Sequence, residues 1–169
     1  HKRNRIVIHK TTHFTKEEME GITKGLAGVD NIELLQIQEF SAWRAIRFQN
    51  DVATPFPIQR GTVIPLDKDT FLIWTHGSVQ HDELAGKNLN YYKNGRGIPA
   101  PLLVKRFMGK SSALELVNEI LMLTKMNWNS GDGLYKILPV TLDFAKALSR
   151  VAKQDLVVYD RPYNFRYFM

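Results

Sequence analysis

Apolar side chains follow two rhythms along the chain, one of period two and one near 3.6. Arg5-Ile-Val-Ile8 is short, β-branched and apolar, the pattern of a buried strand. Thr15 follows, with Glu18 three residues on. That is the spacing of a capping box, and Phe14 and Met19 stand where a hydrophobic staple would close over it. The pattern predicts a helix to about Leu26, stopped by Gly28. Ile32-Glu-Leu-Leu-Gln-Ile-Gln38 is a second strand, and the alternating Ala45-Ile-Arg-Phe48 is expected to pair with it as a hairpin. Asp51 to Gln59 holds two prolines and reads as a loop. Gly61 to Leu66 and Phe71 to His76 flank a turn at Asp67-Lys-Asp69, a second hairpin whose Pro65 belongs at a sheet edge or a bulge.

Gly77 to Gly97 is polar and reads as an exposed loop; Pro101 to Phe107 is another strand. Ser112 and Glu115 repeat the capping-box spacing ahead of a helix whose apolar face is Leu116, Val117, Ile120, Leu121 and Leu123. A loop then runs from Asn127 to Pro139. Thr141 is expected to cap a last helix with Leu142, Ala145, Leu148, Val151 and Ala152 inward. Helices both between and after strands predict an α/β fold, a mixed sheet with helices packed against it.

Composition narrows the chemistry. The 169 residues make one domain, 1–169, of ordinary globular composition. With no cysteine, disulfide scaffolds, thiol nucleophiles and cysteine-ligated zinc are excluded. The uncharged stretch Thr70 to His81 is too short to cross a bilayer, and no secretory leader is visible, so a cytoplasmic location is expected. The start at His1, without a methionine, reads as a processed chain or a piece of a longer one. Five histidines lie scattered without metalloprotease spacing, the first strand ends without a carboxylate, and no phosphate-cradling glycine loop occurs. Lys plus Arg outnumber Asp plus Glu by 23 to 17, a net +6, which points to a polyanionic partner. Lys10, Arg44, Lys105, Arg106, Lys125, Arg150, Arg161 and Arg166 stand near element ends or in loops, where cations meet phosphates. Tyr91, Tyr92, Trp128 and Tyr163 are candidates for base stacking or for ordinary packing.

Four stretches carry a resemblance. They are Arg5-Ile-Val-Ile-His-Lys-Thr-Thr-His-Phe-Thr-Lys-Glu-Glu-Met19, Gly61-Thr-Val-Ile-Pro-Leu66 with Phe71-Leu-Ile-Trp-Thr-His-Gly77, Gly97-Ile-Pro-Ala-Pro-Leu-Leu-Val-Lys-Arg106, and Leu123-Thr-Lys-Met-Asn-Trp-Asn-Ser130 with Leu138-Pro-Val-Thr-Leu-Asp-Phe-Ala-Lys146. In this order they resemble the C-terminal part of the PIWI domain of a prokaryotic Argonaute, of the type that does not slice. The resemblance implies an RNase H-like mixed sheet flanked by helices, a PIWI lobe lacking its N-terminal part. It implies guide-directed nucleic-acid binding, RNA or DNA, in prokaryotic defence.

A slicing relative would place an aspartate after the first strand, where Lys10-Thr11-Thr12 stands here, and Asp or His early in the last helix, where Lys146 stands. Threonine is a poor ligand for a divalent cation and lysine repels one, so the resemblance implies binding without cutting. A shifted alignment would make Asp143 a true ligand, and an active nuclease would draw its other ligands from upstream. By the same resemblance Arg44, His76, Lys125, Asn127, Asn129 and Ser130 touch the guide backbone, with Arg106 and Arg150 nearby. The terminal carboxylate of Met169 would help hold Mg²⁺ at the guide's 5′ phosphate. The implied partners are a guide, its complementary target, an upstream MID region and an effector such as a TIR or Sir2 module.

Overall fold

The structure is a computed structural model and describes residues 5–40, 42–78, 97–126 and 136–153. β1 (Arg5–Lys10) leads into α1 (Lys16–Gly25), which returns the chain to β2 (Asn31–Glu39), parallel to β1 with Ile8 opposite Leu34. Thr15 caps α1 as expected: its side chain accepts from the Glu18 amide while Glu18 accepts from the Thr15 amide at 2.8 Å. The helix ends at Gly25 with Leu26 as C-cap, short of Gly28, which has no left-handed φ.

β3 (Ile46–Gln49) does not pair with β2. It pairs with β4 (Val52–Pro57) in a separate two-stranded finger. The stretch read as a proline loop is therefore a strand. Both its prolines are tolerated because a two-strand ribbon leaves one side of each strand unbonded. Asn50 and Asp51, with φ of 50° and 61°, form the two-residue turn whose twist matches antiparallel strands.

β5 (Val63–Pro65) and β6 (Thr70–Ile73) make the expected hairpin, with Pro65 on the edge strand. β7 (Leu102–Met108) runs antiparallel between β6 and β2, giving the order β1-β2-β7-β6-β5. α2 (Ala113–Leu123) begins with the second capping box, Ser112 with Glu115, and α3 (Val140–Ala152) closes the described chain. Pro139, not Thr141, is the N-cap of α3 and makes no side-chain bond there. The Thr141 hydroxyl lies 2.9 Å from His9 Nδ1 and ties α3 to β1 instead.

The core sits on one face of the sheet. Leu35 and Ile37 of β2, Phe71 and Ile73 of β6 and Leu102 and Val104 of β7 cluster with Leu116, Val117 and Ile120 of α2 and Leu138 and Leu142 at the start of α3. Leu34 and Leu72, one position out of phase, are buried on the other face. Ala145 and Val151 of α3, expected inward, are exposed. The tail from Val157 and nearly all of the 77–97 segment lie outside the described residues. No helix among the described residues is long and apolar enough to cross a membrane.

Candidate nucleic-acid interface

The C-terminal ends of β1 and β2 and the first turns of α3 meet at one edge of the sheet. Thr11 follows directly on β1, half-buried, and its carbonyl accepts from Gln38 Nε2 at 2.9 Å and from Gln36 Nε2 at 3.4 Å. Glu39, the last residue of β2, accepts from Lys146 Nζ of α3 at 3.4 Å. Thr11 and Lys146, the two positions at which a carboxylate or histidine was expected in a cutting relative, thus contact consecutive residues of β2, whose side chains project to opposite faces.

Lys146 also lines an open groove of about 470 Å³. Glu39 and Lys136 stand on its walls with Asp143 and Arg150, and Ile137, Leu138 and Phe144 supply apolar floor. Positions 143, 146, 147 and 150 recur at three- and four-residue steps, so one face of α3 builds one wall. Burial pushes the Asp143 carboxyl above the usual aspartate range; Lys136 and Lys146 pull it back, and Glu39 pushes it further up. Three cations thus face two carboxylates, one of them biased toward its neutral form.

His76 follows β6, half-buried, and its Nδ1 is buried without a hydrogen-bond partner among the described residues. Burial lowers its pKa, and the Glu39 charge opposes the shift. The neighbouring Thr75 hydroxyl donates to the Ile137 carbonyl at 2.6 Å, fixing the end of β6 to the groove's floor.

The remaining expected contacts scatter. Arg150 is on the groove, exposed. Lys125 is exposed just after α2, and Arg44 is exposed at the root of the finger. Arg106 is engaged inside the fold: it donates to Asp69 Oδ1 at 3.0 and 3.2 Å and to the Ser111 carbonyl at 2.6 Å. Asn127, Asn129, Ser130 and Met169 lie outside the described residues, and with Met169 any Mg²⁺ held by its carboxylate. Among the described residues no three His, Asp or Glu side chains gather as a metal centre. The sequence reading missed Lys136. It precedes the helix start by several residues, and only the fold of that connection brings it beside α3.

No family model and no curated protein matches the chain. Solved structures do. A Clostridium butyricum Argonaute bound to a guide DNA and a 19-mer target DNA superposes with a TM-score of 0.65 at 15% identity, over 89% of this chain and 18% of that one. Aa-Ago with externally bound siRNA gives 0.65 at 20% identity, over 99% of this chain and 21% of that one. The Marinitoga piezophila Argonaute in complex with a 5′-OH guide RNA gives 0.54 at 13%, over 85% and 18%. At these identities the likeness is one of fold, and the chain spans about a fifth of the length of each. The fold is the RNase H-like mixed sheet flanked by helices that the sequence led us to expect.

Proposed function

We propose that this chain is the C-terminal part of a slicing-deficient Argonaute PIWI domain, binding a guide strand and its target without cutting. The observation that carries the reading is the Lys146–Glu39 pair at the C-terminal end of β2. An ammonium there repels a divalent cation electrostatically. The same ammonium, with those of Lys136 and the guanidinium of Arg150, is chemically suited to a phosphodiester oxygen. Lys146 can exchange an exposed carboxylate for a phosphate at little cost, because the pair is solvent-accessible, with side-chain exposures of 46% and 54%.

The proposal extends to the whole protein. A MID region would grip the guide's first nucleotide, with Met169 and Mg²⁺ at its 5′ phosphate. Target recognition would signal an effector such as a TIR or Sir2 module in defence against invading nucleic acid. What supports this is the fold shared with Argonautes captured on guide or target strands.

The test is binding of a 5′-phosphorylated guide paired to a complementary target across a salt series, with Mg²⁺ or Mn²⁺ present. Affinity should fall linearly on a log–log scale. Lys146→Ala and Arg150→Ala should each reduce the slope by roughly 0.9, the loss of one phosphate contact on a duplex. No cleaved target should accumulate. Salt-independent binding would refute the phosphate groove. Guide-directed cleavage abolished by Asp143→Asn would show an active nuclease instead.

A further inference from the structure

The groove leaves the β3–β4 finger unused, and the finger is unusual in its surface. Trp43 at its root is 49% exposed, Ile46 52%, Phe48 63% and Val52 68%. Phe48 lies opposite Ala53 and Gln49 opposite Val52. Side chains alternate between the faces of a strand, so Phe48 stands on one face of the ribbon and Val52 on the other. The turn between them, Asn50-Asp51, is a tight left-handed pair that holds the tip in one conformation. Trp43 is held as well: its ring packs at 49° against Phe40 with centroids 6.4 Å apart, yet half of it remains open. A ring already fixed in place loses little freedom when something stacks on it.

The shape of this apolar surface selects its occupant. A flat protein interface is met by apolar residues on one face, backed by a core. A single exposed aromatic ring next to the tip of a narrow finger, as Phe48 is here, has the shape of the apolar side chains that wedge between neighbouring bases. Charge agrees: between Trp43 and Val52 the cations Arg44 and Arg47 interleave with the apolar side chains against a single Asp51.

We propose that the β3–β4 finger is a wedge for nucleic-acid bases. Phe48 inserts between adjacent bases with Val52 beside the turn on the ribbon's other face, Trp43 stacks on a neighbouring base, and Arg44 and Arg47 lie toward the flanking phosphates. The inference rests on the nucleic-acid reading above but concerns a different surface and a different kind of contact, stacking rather than charge.

The experiment places the fluorescent adenine analogue aminopurine at successive positions of a guide–target duplex and titrates it with the protein. Its fluorescence is quenched by stacking in the duplex, so a wedge brightens it at one or two adjacent positions. The double variant Phe48→Ser/Val52→Ser should abolish the brightening and weaken binding about tenfold or more. Its salt slope should stay unchanged because no phosphate contact is lost, whereas Arg44→Ala should reduce the slope. Both substituted side chains are exposed, so the variant should keep the circular dichroism of the parent. Equal brightening and affinity in parent and variant would overturn the wedge while leaving the groove reading intact. A variant that only converts a self-associated protein to monomer, with unchanged binding, would assign the finger to a second copy instead. If the parent binds no oligonucleotide at any salt, the wedge and the reading beneath it fall together.

Discussion

Glu33 is a carboxylate with 0% exposure near the start of β2. Burial raises its pKa, but the Ser111 and Lys110 amides donate to Oε1 at 2.7 and 2.8 Å, and with further help from Ser111 and Asn31 the net effect is a lowered pKa. These bonds lock the β7–α2 turn onto β2. Gly109 makes them geometrically feasible, since its φ is +132° and a Cβ there would collide with the carboxylate. Gly109→Ala is expected to destabilise the fold by about 2 kcal/mol or more, read as a lower urea midpoint, because strain and collision add. A half-buried group acts through pH. Burial drives the His9 pKa down to about 4, with Glu119 opposing. In the unfolded chain His9 takes up a proton near its ordinary 6.5, whereas in the fold it resists until about 4. Its contribution is therefore complete above pH 6.5 and drains away as the pH falls toward 4, by roughly 2–3 kcal/mol. Urea midpoints measured between pH 7 and 4 should fall for the parent and fall less for His9→Gln. Parallel curves would show that His9 does not control the loss.

At the scale of elements, the caps are the parts that local sequence dictates. Ser112 and Glu115 satisfy each other's amides within one turn, so their spacing suffices to place α2. Ser112→Ala should cost about 1 kcal/mol in thermal or urea unfolding, with no change in nucleic-acid binding. Both capping boxes and the β5–β6 hairpin were legible for this reason: each is settled by residues a few positions apart. The partner of β3 was not. Alternation says that Ala45 to Phe48 is a strand but not which strand it meets, and two prolines disguised β4, whose ribbon has no inner position to forbid them. The cap of α3 failed differently. Thr141 has the right chemistry, but its hydroxyl is taken by a histidine 132 residues earlier, a competitor no local window contains.

At the scale of the whole molecule, the candidate site was half legible. Lys146 and Thr11 could be singled out by resemblance. That Lys146 converges with Glu39, Lys136 and Asp143 depends on the end of β2, the connection before α3 and α3 itself meeting at one groove. Arg106 shows the converse. A cation at a strand end looks available in sequence, yet Asp69 and the Ser111 carbonyl hold it within the fold. The sheet itself has one further property. Its β5 margin is three residues long and ends in Pro65, which lacks the amide hydrogen needed to continue a ladder. Its β1 margin is six residues of half-buried backbone without that obstacle. Among the described residues, growth of the sheet is therefore possible at the β1 margin and blocked at the β5 margin. A strand annealing alongside Arg5–Lys10, from whatever source, would bring one of its ends next to Thr11.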